Sequence, residues 1–123
     1  MTGARPFPPR VLALIDVRDE RRCQRCATGS ELHHHHRRGK GQGGSRAPHT
    51  QCPCNGITLC WRCHDWAHVR GRAVAERLGF VVSQSVAEPG TVPVTRFGRG
   101  RSWYPACDGE WVPVAAADGE EAW

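Results

Sequence analysis

A small α+β domain held together by bound metal is what this sequence predicts, and three observations carry that expectation. Two Cys-x-x-Cys pairs, Cys23 with Cys26 and Cys60 with Cys63, have the spacing of thiolate knuckles that share one tetrahedral zinc ion. The apolar segments are short and switch between helical and strand periodicity. With 39% hydrophobic residues, 14 glycines and 9 prolines in 123 residues, the chain is one domain long and cannot bury a large apolar core. A structural ion supplies the missing stability, because in small zinc folds binding energy is largely folding energy.

Charge and cysteine usage narrow the setting. Seventeen Lys and Arg against 12 Asp and Glu give a net charge of +5, which favours a polyanionic partner. Seven cysteines in a chain whose first residues are rich in proline and lack an apolar targeting segment point to reduced thiols in the cytoplasm. No apolar run approaches the ~20 residues of a membrane span, so no membrane partner is expected.

Residues 1–8 read as a disordered lead-in, and Pro9 suits the first position of a helix running to Asp19. Val11, Leu14 and Ile15 share one face of it, expected to pack on the first knuckle. After that knuckle and a Thr28 to Ser30 turn, Glu31 to His36 reads as a strand carrying four consecutive histidines. Alternate side chains of a strand point to opposite faces, so His33, His34, His35 and His36 cannot all converge on one ion. The residues alone leave open which of them binds a metal.

Residues 37–51 are basic and glycine-rich, and glycine at that density disfavours helix and strand. A cationic loop with accessible backbone amides suits phosphate contact, and a plain solvated linker fits nearly as well. Asn55 to Leu59 reads as a turn and a short buried strand leading into the second knuckle. His64 and His68 then lie four apart on a helix, the spacing that presents two imidazoles to one ion. Cys52 and Cys54 read as loop residues, since a one-residue gap makes a poor knuckle, and Cys107 reads as a spectator.

Residues 9–78 thus form the expected core. Arg72 to Leu78 is a short helix stopped by Gly79, Phe80 to Ser83 a strand, and Val92 to Val112 a small β-meander turning at Asp108 and Gly109. Residues 79–114 make this C-terminal β extension, and 115–123 a flexible tail. Basic and aromatic residues mix at Arg96, Phe97, Arg99, Arg101, Trp103 and Tyr104, where packing of a small sheet is the commoner explanation.

The ordered set His35-His36, Arg37-Arg38, Gly43-Gly44-Ser45, Asn55 and Cys60-x-x-Cys63-His64, with Cys23 and Cys26 upstream, resembles the zinc-containing HNH endonucleases of actinobacteria and their phages. The resemblance extends from the Val17 to Asp19 segment to Pro93-Val94 and the Asp108 to Trp111 segment. It implies a ββα-metal, treble-clef-like HNH core. Carried over residue by residue, His35, His64 and His68 hold a catalytic divalent ion (Mg²⁺, Mn²⁺, Ni²⁺ or Zn²⁺), and His36 is the general base. Asn55 orients that base, while Cys23, Cys26, Cys60 and Cys63 hold structural zinc. The implied activity is metal-dependent hydrolysis of double-stranded DNA with weak sequence specificity, leaving 5′-phosphate and 3′-hydroxyl ends. Arg37, Arg38, Lys40 and Arg46 are then expected to grip phosphates. Association with phage terminase or packaging proteins in the host cytoplasm is a further implication. The competing reading is a non-catalytic zinc module that binds DNA or protein; it gives no reason for histidines and Asn55 in this order.

Overall fold

The structure is a computed structural model and describes residues 6–39 and 47–115. Helix α1 spans Pro9–Asp19 with Pro9 in its first turn and ends at Glu20, which takes a left-handed conformation (φ 57°). Phe7, Val11 and Ile15 form a small buried cluster on its inner side, with Leu12 at the margin. That face packs on strand β2 (Gly56–Cys60) and on a single 3-10 turn over Pro53–Asn55. Gly56 is required at this crossing, since a Cβ there would overlap Ile15. Leu14, on the same helix, lies instead against Gly109 of the C-terminal extension.

Strand β1 (Leu32–His36) pairs antiparallel with β2 in a register that sets His33 opposite Leu59 and His35 opposite Ile57. Every residue of β2 is buried, because α1 covers one side of the pair while α2 (Trp61–His68) and α3 (Arg72–Leu78) close the other. The main core is Ile57, Leu59, Ala67, Ala75, Phe80, Val81 and Val94, joined by Cys23, Cys60 and Cys63. Its small size agrees with the composition and leaves much of the stability to contacts outside the apolar core.

Residues 80–82 differ from expectation. Phe80, Val81 and Val82 are buried, yet they form no strand and meet β1's continuation only at a parallel bridge from Val82 to Arg38. A short apolar run enclosed on all sides needs no ladder partner to be buried, and periodicity cannot tell that case from a strand. The expected meander is present: β3 (Val94–Thr95), β4 (Ser102–Pro105) and β5 (Trp111–Pro113) form a three-stranded antiparallel sheet in that order. Its tip turns at Gly109 (φ 91°), with the Glu110 amide donating to Asp108 Oδ1 at 3.0 Å.

Two arginines, Arg18 buried and Arg96 half-buried, join these parts. Arg18 pairs with Asp19 at 2.7 Å, donates to the carbonyls of Pro53 (2.9 Å) and Gly56 (2.6 Å), and lies 4.4 Å from the Trp111 ring centre. Asp19 in turn accepts from the Thr58 amide at 2.9 Å, locking helix α1 to strand β2. Arg96 approaches Trp111 from the meander at 4.7 Å and donates to Gln24 Oε1 at 2.8 Å. Arg96 lies within cation–π range of Phe97, Trp103 and Trp111, and Arg101 of Trp103, so these residues of the extension pack together.

Arg37 is fully enclosed and corrects the expectation that it grips phosphates. Its guanidinium donates to the carbonyls of Gly79 (2.8 Å), Cys54 (2.9 Å), Pro89 (3.0 Å) and Val92 (2.6 Å). Arg38 is likewise buried, donating to the carbonyls of Val86 (2.6 Å), Ala87 (2.7 Å) and Pro48. Both guanidiniums are committed to backbone oxygens, so neither can reach solvent-borne phosphate. The sequence signal, two arginines beginning a glycine-rich run, was sound about charge and blind to burial. Lys40, Arg46 and the Gly43-Gly44-Ser45 segment lie outside the described residues.

Candidate metal centres

Cys23, Cys26, Cys60 and Cys63 bring four sulfur atoms within 4.8 Å of one another. The first pair sits on a knuckle closed by a 2.8 Å hydrogen bond from the Cys23 amide to the Thr28 carbonyl, with Ala27 left-handed at φ 72°. Within it the amides of Arg25 and Cys26 both donate to Cys23 Sγ at 3.4 Å. The second pair arises where β2 runs directly into α2, Cys60 being the last strand residue and Cys63 lying in the first helical turn. Zn–S bonds of about 2.3 Å in a tetrahedron place sulfurs about 3.8 Å apart, and Cys26 Sγ lies 3.7 Å from Cys60 Sγ. The donor set and spacing thus fit a structural metal ion.

Arg25 completes this arrangement. Its guanidinium donates to Cys63 Sγ at 3.4 Å and lies 3.6 Å from the Trp66 ring centre. Burial pushes the Cys63 thiol up, while the Arg25 contact pulls the other way. A cation here offsets part of the charge that four thiolates concentrate.

The second cluster is made of imidazoles. His35 projects from β1 toward α2, where His64 and His68 stand one turn apart, and the three offer ligand atoms within 4.8 Å of one another. Ring centres are 5.1 Å apart for His35 and His64, 5.2 Å for His35 and His68, and 4.5 Å for His64 and His68. His35 Nε2 lies 2.9 Å from the Phe80 carbonyl oxygen. A carbonyl can only accept, so Nε2 carries the proton and Nδ1 is the lone-pair nitrogen, the tautomer control usual around metal-ligating histidines. The buried Phe80 segment has this use: it supplies the carbonyl that orients His35.

Electrostatics favours the neutral form throughout. Burial, then the neighbouring His64 and His68, lowers the pKa of His35 to about 3. Burial also lowers His64, with His68 and His33 adding to the effect, and lowers His68, helped by the charge of Arg72. Neutral imidazoles are the form that binds metal, and three of them leave coordination positions for other ligands.

Strand alternation sorts the remaining histidines. His33 stacks on His64 at 5.5 Å, on the side of the imidazole cluster. His34 and His36 face α1 and the segment before it: His34 Nε2 lies 2.7 Å from Asp16 Oδ1, and His36 stacks on Phe7 at 4.0 Å with Nε2 2.9 Å from Gln51 Oε1. His36 is therefore next to His35 in the chain and on the opposite face of β1. Asn55 is completely buried and clamps the chain on both sides of residues 40–46. Its Oδ1 accepts from the Arg38 amide at 2.7 Å, while Nδ2 donates to the carbonyls of Arg38 and Thr50, each at 3.0 Å.

The sequence reading missed one grouping. His49, Cys52, Cys54 and Cys107 also bring their ligand atoms together. The available signal was the His49-x-x-Cys52 spacing, which has the same interval as the other two knuckles and begins with a histidine. No helix among the described residues is long and apolar enough to cross a membrane. Compared with known protein families, curated proteins and solved structures, the chain finds no match.

Proposed function

We propose that this protein is a metal-dependent endonuclease of the HNH type that hydrolyses DNA phosphodiester bonds. The observation that carries the reading is the convergence of His35 from β1 with His64 and His68 from α2, in a ββα unit whose helix starts at the cysteine site. All three rings are neutral donors, and one is oriented by a backbone carbonyl, which suits a divalent ion with open positions. Such an ion, when bound, supplies Lewis-acid stabilisation of charge on the phosphate and on the leaving 3′ oxygen.

His36 is the general base in this reading. With Nε2–H donated to Gln51 Oε1, the ring's basic nitrogen is Nδ1, which takes the proton as the water oxygen attacks phosphorus and the P–O3′ bond breaks. Because His35 and His36 leave β1 on opposite faces, the scissile phosphate must straddle the end of that strand. Asn55 acts as a positioning residue, fixing the backbone that follows His36 through both carbonyl and amide of Arg38. Exposed Arg62, Arg70 and Arg72, on and just after α2, replace Arg37 and Arg38 as phosphate contacts. Arg72, which opens α3, carries a charge that is felt by His68.

The face occupied by His33 gives a specific competitor for the role of base. Nicking of supercoiled plasmid by metal-stripped protein, with Mg²⁺, Mn²⁺, Ni²⁺ or Zn²⁺ restored, tests both assignments. Wild type should cut only with added ion, and His64→Ala and His36→Ala should lose cutting while keeping the cysteine-bound zinc. Loss in His33→Ala with activity retained in His36→Ala would transfer the base to His33. Absence of cutting by folded, zinc-loaded wild type with every ion would refute the nuclease reading.

A further inference from the structure

The grouping of His49, Cys52, Cys54 and Cys107 lies apart from both centres described above. Its members come from three places: a turn over residues 47–52, the 3-10 turn Pro53–Asn55, and the tip of the β4–β5 hairpin. Chain folding has brought Cys107 back across 58 positions to set its Sγ 3.7 Å from His49 Nδ1. Tetrahedral zinc with bonds of about 2.3 Å to sulfur and about 2.0 Å to nitrogen places such atoms about 3.5 Å apart. All four ligand atoms lie within 4.8 Å of one another, and none of the three cysteines is in a disulfide.

The local backbone is arranged around these side chains. His49 holds a left-handed conformation (φ 70°), uncommon for a residue with a side chain, and its carbonyl accepts the Cys52 amide at 3.1 Å. The Cys52 carbonyl then accepts the Asn55 amide at 2.9 Å, so two successive turns aim His49, Cys52 and Cys54 to one point. Cys54 is buried, and Gly90 is the residue that fits beside it, a Cβ there coming within 3.3 Å of Cys54 Cβ. Cys107 closes the open side from the solvent-facing hairpin tip.

We propose that His49, Cys52, Cys54 and Cys107 form a second structural zinc site, with three thiolates and one imidazole. Three sulfurs and a nitrogen leave no coordination position for substrate, so the site is closed and serves structure. It ties the C-terminal hairpin to the segment that immediately precedes Asn55. The cross-link spans a long stretch of chain, where closing the loop constrains the unfolded state most. The ion therefore secures the meander to the core, and it steadies the clamp that Asn55 forms.

The proposal does not rest on the nuclease reading, and zinc counting tests it directly. Protein purified with zinc and passed through a mild chelator, in a His64→Ala background that disables the imidazole centre, should hold two zinc ions per chain. Adding Cys107→Ser should reduce that to one, with the remaining ion removed only by a change such as Cys63→Ser. Cobalt substitution should show two superposed tetrahedral thiolate spectra, of which Cys107→Ser removes one. Because Cys107 is exposed, alkylation supplies a readout that needs no variant: its thiol should be protected in zinc-loaded wild type and react after strong chelation. One zinc per chain in the His64→Ala protein, a disulfide within this group, or alkylation of Cys107 at equal rates with and without zinc would each overturn the proposal.

Discussion

Replacing Arg37 by methionine separates two physical readings of the same arginine. If it is the buried staple described above, Arg37→Met removes donors from four carbonyls, those of Cys54, Gly79, Pro89 and Val92. Each loses a charge-assisted hydrogen bond, and a buried acceptor left without a donor costs about 1–3 kcal/mol. The buried guanidinium also carries a desolvation penalty that its removal relieves, so the four losses do not sum in full. A net destabilisation of about 3–5 kcal/mol is expected. For a domain of this size that lowers Tm by roughly 12–20 °C. Thermal unfolding of the zinc-loaded protein followed by circular dichroism measures it. Arg37→Lys should recover only a minor part, since a single ammonium cannot span four oxygens on three separate segments. A phosphate contact behaves oppositely: Tm stays within about 2 °C, while DNA affinity falls and its salt dependence becomes shallower by about one charge. That outcome for Arg37→Met would refute the burial argument, and it is the outcome expected for Arg72→Met.

Gly79→Ala and Gly71→Ala should both destabilise strongly: a Cβ at Gly79 would meet the Pro93 carbonyl at a backbone φ of 89°, and one at Gly71 would enter the Trp66 indole; urea titration checks each. Asn55→Asp keeps the shape but sets a carboxylate oxygen against the carbonyls of Arg38 and Thr50, so a loss of about 2–4 kcal/mol is expected, together with reduced nicking. The pH dependence follows from His35, whose folded pKa of about 3 lies below its ordinary value of 6.5, so that the unfolded chain binds more protons. Its contribution is complete above about pH 6.5 and is lost as pH falls toward 3; at pH 5 the loss already amounts to about 2 kcal/mol, measurable by denaturant titration of protein loaded only at its cysteines and absent in His35→Leu.

What the sequence disclosed depended on how local each constraint was. The β1–β2–α2 unit was legible because Cys60, Cys63, His64 and His68 follow one another at fixed helical intervals, and strand alternation had already required the four histidines to divide between two faces. Helix α1 was legible from Pro9 and its apolar spacing, although the partner of Leu14, Gly109, was not. Arg37 and Arg38 failed because their environment is made by Phe80 to Val92, a segment with little regular structure and no pairing signal in the sequence. The same distant segment supplies the carbonyl that selects the His35 tautomer. Cys107 failed for a related reason: nothing near it in the chain marks it as a candidate ligand, and only folding brings it to His49, Cys52 and Cys54, which are close together in sequence.

Helix α2 is where the two candidate metal centres meet. Its first turn carries Cys63, and Cys60 stands at its N-cap; the next residue after Cys63 is His64, and His68 ends the helix. An eight-residue helix is too short to persist alone in water. Its axis is therefore set by what holds its two ends: the cysteine site at the start, and at the far side Trp66, caught between Arg25 and Gly71. Removing the cysteine-bound ion leaves four sulfurs to separate and frees the turn from which His64 projects. The imidazole centre should then lose affinity for its own ion even though none of its ligands has changed. In Cys26→Ser, whose altered ligand is the exposed one of the four, the Mn²⁺ or Ni²⁺ affinity of the histidine site should fall at least about tenfold, in the range found when outer-shell support of a metal site is removed. Isothermal titration at constant pH reads this coupling. An unchanged affinity would mean that tertiary packing on Ile57, Leu59 and Phe80 alone fixes α2, and that the two centres are thermodynamically separate.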